Sequence, residues 1–298
     1  MADSGQSFKA VRESGAYRAG ALTFRKLGER LKRGGKTKEP SNDLVRVIET
    51  EVLPRLMLIH KQDLDSSFDD CMIDDYLSES QIDRFIYTII EDGTQSAGDL
   101  ILQLIADGLS VEDVLMNLLA PAARRMGEKW STDEFTFVDV TIGLCRLHEL
   151  LRETSVIGDI RYQTPTSDQP SILLSTVCCD QHTLGIQIVA EFFRRDGWKV
   201  SCEPGASIAE LVQLVQKHTF DFVALSAAKP VDLQEVAVEI KNVREASANQ
   251  NIKIIIGGAS LPDIENIADS VGADMVSLDA ASAPRMARAF LTTSAMGI

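Results

Sequence analysis

The sequence predicts a chain in two parts, an all-α helical bundle followed by an α/β domain with a five-stranded parallel sheet. Before residue 160, apolar residues recur at spacings of three and four over long segments, as they do on one face of a helix. After residue 170, five short apolar runs alternate with five helical segments, a pattern typical of a parallel sheet covered on both faces. The polar segment "DIRYQTPTSDQP", with two prolines, separates these patterns and predicts a domain boundary.

Residues 1–41 are predicted to form a basic, poorly ordered arm. Residues 1–40 carry ten Lys and Arg against four Asp and Glu, a net charge of +6, which leaves −20 for the remainder of a chain whose total is −14. A body this acidic is repelled by nucleic acid, whose phosphates require a basic face. We therefore expect little or no direct DNA binding, and any effect on a gene is expected to pass through a protein partner.

The location is predicted from apolar runs and cysteines. No stretch approaches the roughly 18 apolar residues of a membrane span, and no signal-peptide pattern follows Met1. Five cysteines are an odd count in a chain long enough to build a core without disulfides. We expect a cytoplasmic protein without a disulfide framework and without membrane association.

The helical bundle is predicted over residues 42–160. Short connections between consecutive helices are typical of such bundles. A Ser-x-x-Asp cap at Ser110 and Asp113 marks the start of one of them. The segments with helical periodicity are 42–66, 77–92, 95–107, 111–128 and 136–155.

A linker at residues 161–170 is predicted to lead into the α/β domain, residues 171–298. In open parallel sheets, ligands bind beyond the carboxyl ends of the strands, so the loops after the first, third and fourth strands are the candidate site. The predicted strands are 172–177, 199–202, 222–226, 253–256 and 275–277, and the predicted helices are 184–196, 207–218, 231–246, 262–270 and 283–293.

The first of these loops places an aspartate two residues before a histidine. A carboxylate at Asp180 that accepts from one ring nitrogen of His182 would fix the tautomer and turn the other nitrogen outward, as in a metal ligand or a general base. The alternative is a structural histidine that only makes hydrogen bonds. Gly185 allows the chain to turn closely into the next helix.

Two other chemistries are disfavoured. The adjacent Cys178 and Cys179 lack the Cys-x-x-Cys spacing of structural zinc sites, and they are expected to end the buried strand. No Ser or Cys nucleophile with a second catalytic partner is apparent, so the sequence does not predict an enzyme.

Together, the three loops resemble the cobalamin-binding domain of methionine synthase, methylmalonyl-CoA mutase and corrinoid sensors. The resemblance covers about residues 171–293 and implies a flavodoxin-like, doubly wound fold. The family usually has Ser-x-Leu or Ser-x-Thr after the third strand, whereas residues 226–228 here are Ser-Ala-Ala. The matching elements are Asp180-x-His182-x-x-Gly185, then Ser226, then Gly257-Gly258.

The resemblance also implies a role for each residue. His182 would replace the benzimidazole of the cofactor as the lower axial cobalt ligand, and Asp180 would orient it. The displaced nucleotide tail would enter the sheet edge. There Gly185 would leave room beside the tail, Ser226 would hydrogen-bond its base, and Gly257-Gly258 would allow close backbone approach.

Upstream, "LLAPAARRMGEKWSTDEFTFVDVT" resembles the four-helix cap of methionine synthase and of light-sensing corrinoid repressors. Trp130 would cover the upper face of the corrin, and the alternative is a core anchor. The adenosylcobalamin-dependent repressors carry Glu-His nine residues after this tryptophan, where this chain has Val140-Thr141. The difference implies a preference for hydroxo- or aquocobalamin over adenosylcobalamin. His148, seven residues beyond Thr141, is either a candidate upper ligand or a surface histidine.

A basic arm, a helical cap and a terminal cobalamin domain together resemble the AerR/PpaA regulators of photosynthesis genes. That family binds cobalamin and modulates a separate DNA-binding repressor of the CrtJ/PpsR type. The resemblance implies a light-responsive antirepressor, and the presence of His182 favours cobalamin over haem. The alternatives are a corrinoid protein that carries methyl groups between methyltransferases and a flavodoxin-like domain that has lost its ligand.

Overall fold

The computed structural model describes residues 77–157, 169–178, 180–261 and 266–295, all within one compact unit. The predicted arm at 1–41, the predicted helix at 42–66 and most of the predicted linker lie outside the described residues. In the described ranges, no helix combines the length and the apolar character needed to cross a membrane.

The first part of the structure is a helical bundle, as the sequence predicts. The capping box predicted at Ser110 is present: its hydroxyl accepts from the Asp113 amide at 3.0 Å, and the Asp113 carboxylate accepts from the Ser110 amide at 3.1 Å. Two stretches adopt π-helical geometry, which apolar spacings of three and four do not distinguish from an α-helix. The elements are α1 (Glu79–Tyr87) with the π-helix Thr88–Asp92, α2 (Thr94–Ala106), α3 (Val111–Val114) with the π-helix Leu115–Leu119, α4 (Ala120–Ser131) and α5 (Phe137–Thr154).

The second part is a parallel sheet with the order β2-β1-β3-β4-β5. This order and the alternation with helices confirm the predicted α/β fold class. The strands are β1 (Ser171–Thr176), β2 (Lys199–Cys202), β3 (Phe222–Ser226), β4 (Lys253–Gly257) and β5 (Met275–Ser277). The helices are α6 (Thr183–Arg195), α7 (Ile208–Lys217), α8 (Leu233–Ala246), α9 (Ile267–Val271) and α10 (Ala283–Ala295).

The sheet is buried on both faces. Side chains of α7, α8 and α9 pack on one face, and side chains of α6 and α10 pack on the other. The strand register sets Thr176 beside Ser226 and Ser226 beside Gly257, so the carboxyl ends of β1, β3 and β4 are level. The loops that follow these strands therefore meet at one edge.

Helix α6 connects the two parts of the structure. One of its faces packs into the bundle core through Leu184, Ile188 and Phe192, and the other packs on the sheet. At its end, the Arg195 guanidinium donates to the Ile157 carbonyl at 2.9 Å and to the Glu112 carboxylate at 3.3 Å. The helix that begins directly after His182 is thus held from both sides.

Candidate functional site

The loops after β1, β3 and β4 are joined by backbone hydrogen bonds. The Val177 amide donates to the Ser226 carbonyl at 3.0 Å, and the Ala227 amide donates to the Gly257 carbonyl at 2.8 Å. The Ala228 amide donates to the Asp180 carboxylate at 2.7 Å. The structure therefore brings together the three loops that the sequence analysis selected.

Asp180 is buried beneath the histidine ring. Its Oδ1 accepts from the His182 amide at 2.9 Å and lies 2.7 Å from His182 Nδ1, while its Oδ2 accepts from Ala228. Burial acts to raise the pKa of this carboxyl, but the hydrogen bonds from His182 and Ala228 outweigh burial, and the pKa lies below its ordinary value. The side chain of Asp180 is thus an ionised acceptor held in place by three donors.

This arrangement sets the direction of the imidazole. A carboxylate beside Nδ1 keeps the proton on that nitrogen and leaves the lone pair on Nε2. The side chain of His182 is 47% exposed, and no described residue hydrogen-bonds Nε2. The ring therefore presents an outward-facing nitrogen ligand, and the buried carboxylate of Asp180 fixes its direction.

Two further hydroxyl groups hold the loops of the site, and the sequence analysis did not identify them. The Thr176 hydroxyl donates to the Asp180 carbonyl at 2.9 Å and accepts from the Gly205 amide at 3.1 Å. The Ser260 hydroxyl donates to the Ala228 carbonyl at 2.8 Å. The only sequence signal for either is a hydroxyl residue beside the end of an apolar strand. Ala228 contributes through its backbone, which explains how Ser-Ala-Ala can occupy the loop after β3.

The glycines of the site differ in what surrounds them. A Cβ on Gly257 would lie 2.3 Å from the Ser277 carbonyl oxygen, and one on Gly258, where φ is +119°, would lie 2.1 Å from the Ala227 carbonyl oxygen. These two glycines are needed by the neighbouring backbone, whatever binds there. At Gly185, by contrast, an added Cβ would meet no atom within 4 Å. Gly185 is exposed, so the space beside it opens to solvent.

Ser226 and the bundle residues complete the predicted set. Ser226 is half-buried at the end of β3, and no described residue hydrogen-bonds its hydroxyl. Trp130 is buried, 9% exposed, with its ring centroid 6.5 Å from that of Phe137. Val140 packs against the bundle core, while Thr141 is exposed. The Thr141 hydroxyl donates to the Phe137 carbonyl at 2.7 Å.

His148 occupies the contact between the bundle and α6. It is half-buried, and its Nδ1 lies 3.0 Å from Gln187 Oε1. The structure thus places His148 against the helix that follows His182, where it is partnered rather than free on the surface.

The donor set fits cobalamin. Among the residues described, no three His, Cys, Asp or Glu side chains are grouped to hold a metal ion. A single outward-facing imidazole is enough for cobalamin, because the corrin ring itself supplies the four equatorial nitrogens. Gly185, on the first turn after His182, is exposed and adds no side chain beside the ring.

Comparisons with known proteins agree with this chemistry. The profile of the B12 binding domain matches residues 170–288. The uncharacterized 20.5 kDa protein of the bchF-crtJ intergenic region of Rhodobacter capsulatus is 30% identical over 171 residues, 57% of this chain and 87% of that protein. Dimethylamine corrinoid protein 1 of Methanosarcina acetivorans is 28% identical over 153 residues, 51% of this chain and 67% of that protein.

The fold is also found among solved structures. The monomethylamine corrinoid protein of Methanosarcina barkeri superposes with a TM-score of 0.54 at 16% identity, covering 70% of this chain and 98% of that one. That likeness supports the architecture of helical bundle and parallel sheet. The profile match and the Rhodobacter relative together show that the chain belongs to the family of B12-binding-domain proteins.

Proposed function

We propose that this protein binds cobalamin with His182 as the lower axial ligand of cobalt and acts as a light-responsive antirepressor. The observation that supports the cofactor role best is the outward-facing imidazole of His182, fixed by the buried carboxylate of Asp180. The observation that supports regulation is the relative from the bchF-crtJ intergenic region. Its place beside crtJ matches the expected partner, a DNA-binding repressor of the CrtJ/PpsR type.

Each residue has a defined part in this proposal. His182 Nε2 binds cobalt, and Asp180 holds the ring. The space at Gly185 and the hydroxyl of Ser226 receive the nucleotide tail, while Gly257-Gly258 lets the strand ends close against each other. When bound in an alkyl form, cobalamin supplies a cobalt–carbon bond that visible light breaks.

The upper face is proposed to take a small ligand. The hydroxyl of Thr141 is already donated to the Phe137 carbonyl, and Val140 offers only apolar surface. These two positions therefore supply no free donor for an adenosyl group, which favours hydroxo- or aquocobalamin beneath Trp130. We assign His148 no role on cobalt: it is half-buried in the contact with α6, where its Nδ1 lies 3.0 Å from Gln187 Oε1.

The first test is equilibrium binding and absorbance with hydroxo-, methyl- and adenosylcobalamin, in darkness and after illumination. We expect tighter dark binding of hydroxocobalamin than of adenosylcobalamin. His182→Ala should lose about 100-fold or more in affinity, together with the spectrum of histidine-ligated cobalamin. The exposed His218, changed to Ala, is the matched control and should bind as wild type does. Wild-type binding and spectrum in His182→Ala would contradict the assignment.

Gly185→Ala tests where the nucleotide tail lies. Because the position is exposed, helical and free of clashes, alanine should raise the free energy of unfolding of the free protein by about 0.5–1 kcal/mol. The added methyl group should at the same time weaken cobalamin binding. Gly98→Ala, in α2, is the control for the helix effect, since its Cβ would make only ordinary contacts. A more stable Gly185→Ala protein with unchanged affinity would rule out a tail at this position.

A corrinoid methyl carrier is the second candidate function, favoured by the 28% identity to dimethylamine corrinoid protein 1. The two functions differ in what the loaded protein does. A regulator should change the DNA binding of a CrtJ/PpsR-type repressor on illumination, whereas a carrier should exchange methyl groups with a methyltransferase. Methyl exchange without any effect of light on repressor binding would decide for the carrier.

A further inference from the structure

Helix α8 carries a glutamate at a position that faces the core. Val236, Ile240 and Val243 form the buried stripe of this helix, and Glu239 lies in the same stripe at helical spacing. Glu239 is 1% exposed. A carboxyl at such a position costs free energy that an apolar side chain would not, so its presence requires a reason.

The side chain of Glu239 contacts the loop between β1 and His182. Its Oε2 accepts from the Cys178 amide at 3.0 Å. Its Oε1 is buried without a hydrogen-bond partner among the described residues, which also offer it no ion pair. The carboxyl therefore gains one backbone hydrogen bond, and that bond ends on the loop between β1 and His182.

Among the described residues of the loop between β1 and His182, Cys178 is the one whose amide donates to α8. The Val177 amide donates to the Ser226 carbonyl, and the Asp180 amide donates to the Val177 carbonyl at 3.1 Å, which closes a turn. Asp180 then directs the ring of His182. The start of the loop is thus held by Glu239 and its end by the Asp180 carboxylate.

We propose that Glu239 is a positioning residue of the cobalamin site, which acts through the Cys178 amide to fix the loop that carries Asp180 and His182. This inference rests on the proposed function for its consequence but not for its geometry. Burial raises the pKa of Glu239 against the opposing hydrogen bond from Cys178, in agreement with a carboxyl held in place at a cost in free energy.

Three variants separate positioning from packing. Glu239→Gln keeps an oxygen acceptor for Cys178, Glu239→Leu removes it but suits the apolar stripe, and Glu239→Asp withdraws it by one methylene. Glu235→Leu is the matched control, since Glu235 is exposed one turn earlier on the same helix. Should Glu239→Leu fail to fold, the comparison of Glu239→Asp with Glu239→Gln gives the decision.

The first measurement uses the free protein. Amide hydrogen exchange at Cys178, Asp180 and His182 should become about 10-fold faster in Glu239→Leu and Glu239→Asp, while Glu239→Gln and Glu235→Leu match wild type. The second measurement uses hydroxocobalamin. Its affinity should fall about 10- to 100-fold in the first two variants, with a loss of the histidine-ligated spectrum, and should be retained in the other two.

The two proposals fail differently. Unchanged loop exchange in Glu239→Leu, or exchange in Glu239→Gln as fast as in Glu239→Leu, would overturn the positioning role even if wild type binds cobalamin. Wild-type affinity and spectrum in a Glu239→Leu protein with a loosened loop would overturn it as well. If the loop loosens as expected but wild type binds no hydroxocobalamin, the positioning of the loop stands and the proposed function fails.

Discussion

Asp180 and Glu239 are both buried carboxyl groups that hold the loop between β1 and α6, yet their surroundings shift their pKa values in opposite directions. Each is 1% exposed. Asp180 accepts from the His182 amide, from the His182 ring and from the Ala228 amide, and its pKa is lowered. Among the described residues, Glu239 accepts from the Cys178 amide alone, and its pKa is raised.

The difference shows that hydrogen bonds outweigh the effect of burial on the pKa at Asp180 and do not outweigh it at Glu239. Burial acts to raise the pKa at both positions. Three donors on Asp180 exceed that effect, and one donor on Glu239 does not. Asp180 is therefore a well-satisfied acceptor behind His182, whereas Glu239 holds the loop at a cost in stability.

The largest effect is expected from removing the better-satisfied carboxyl. Asp180→Leu leaves the amides of His182 and Ala228 without their acceptor, and we expect the free energy of unfolding to fall by about 3 kcal/mol. Asp180→Asn keeps an oxygen acceptor in a side chain of the same shape, so its free energy of unfolding should fall by less. Urea denaturation of the free protein measures both. An Asp180→Leu protein as stable as wild type would remove the distinction between the two carboxyls.

A smaller effect is expected from the pH dependence of Glu239. The folded protein keeps this proton to higher pH than the unfolded chain does, because the pKa is raised from its ordinary value of 4.5. The free energy of unfolding should therefore fall as the pH rises from that value through the raised pKa.

Glu239→Gln has no such proton to lose, so its decline over this pH range should be shallower. Above this pH range, the free energy of unfolding of Glu239→Gln should exceed that of wild type by roughly 1 kcal/mol. Parallel pH profiles for the two proteins would mean that Glu239 is not strained by burial. Glu235→Gln supplies the baseline, since its carboxyl is exposed on the same helix.

The smallest effect is a coupling between the two positions. Because both carboxyls hold one loop, a loop already freed by Asp180→Leu has less to lose from Glu239→Leu. The double variant should be less destabilised than the sum of the single variants, by about 0.5 kcal/mol. Strict additivity in this double-mutant cycle would show that the two contacts act on the loop independently.

The sequence predicted the elements of the site better than their contacts. Asp180, His182 and Gly185 follow one strand in a recognisable spacing, so both the loop and the orientation of His182 by Asp180 could be predicted. Glu239 lies 57 residues beyond His182 in the chain. Its contact with Cys178 depends on how α8 packs on the sheet, which no local pattern encodes. A glutamate in an apolar stripe was the available signal.

The glycine pair is a second case in which the sequence predicted the residues of the site but not their contacts. Gly257-Gly258 could be assigned to close backbone approach, but not to a particular neighbour. The structure shows that the neighbours are the carbonyls of Ser277 and Ala227, in the protein's own loops. Gly185 differs in being exposed, and only the packed structure separates a glycine where a Cβ would clash with the backbone from one where a Cβ would fit.

The sequence by itself determined the helical bundle, the five-stranded parallel sheet and the loops that form the site, because periodicity and turn residues are local properties of the chain. The tertiary structure decided which side chains hold those loops. Strand register set Thr176, Ser226 and Gly257 in line, and helix packing placed Glu239 behind Cys178 and His148 against Gln187. These contacts join residues that are distant in the chain, and their energies depend on burial and on the number of hydrogen-bond donors, which exist only once the chain has folded.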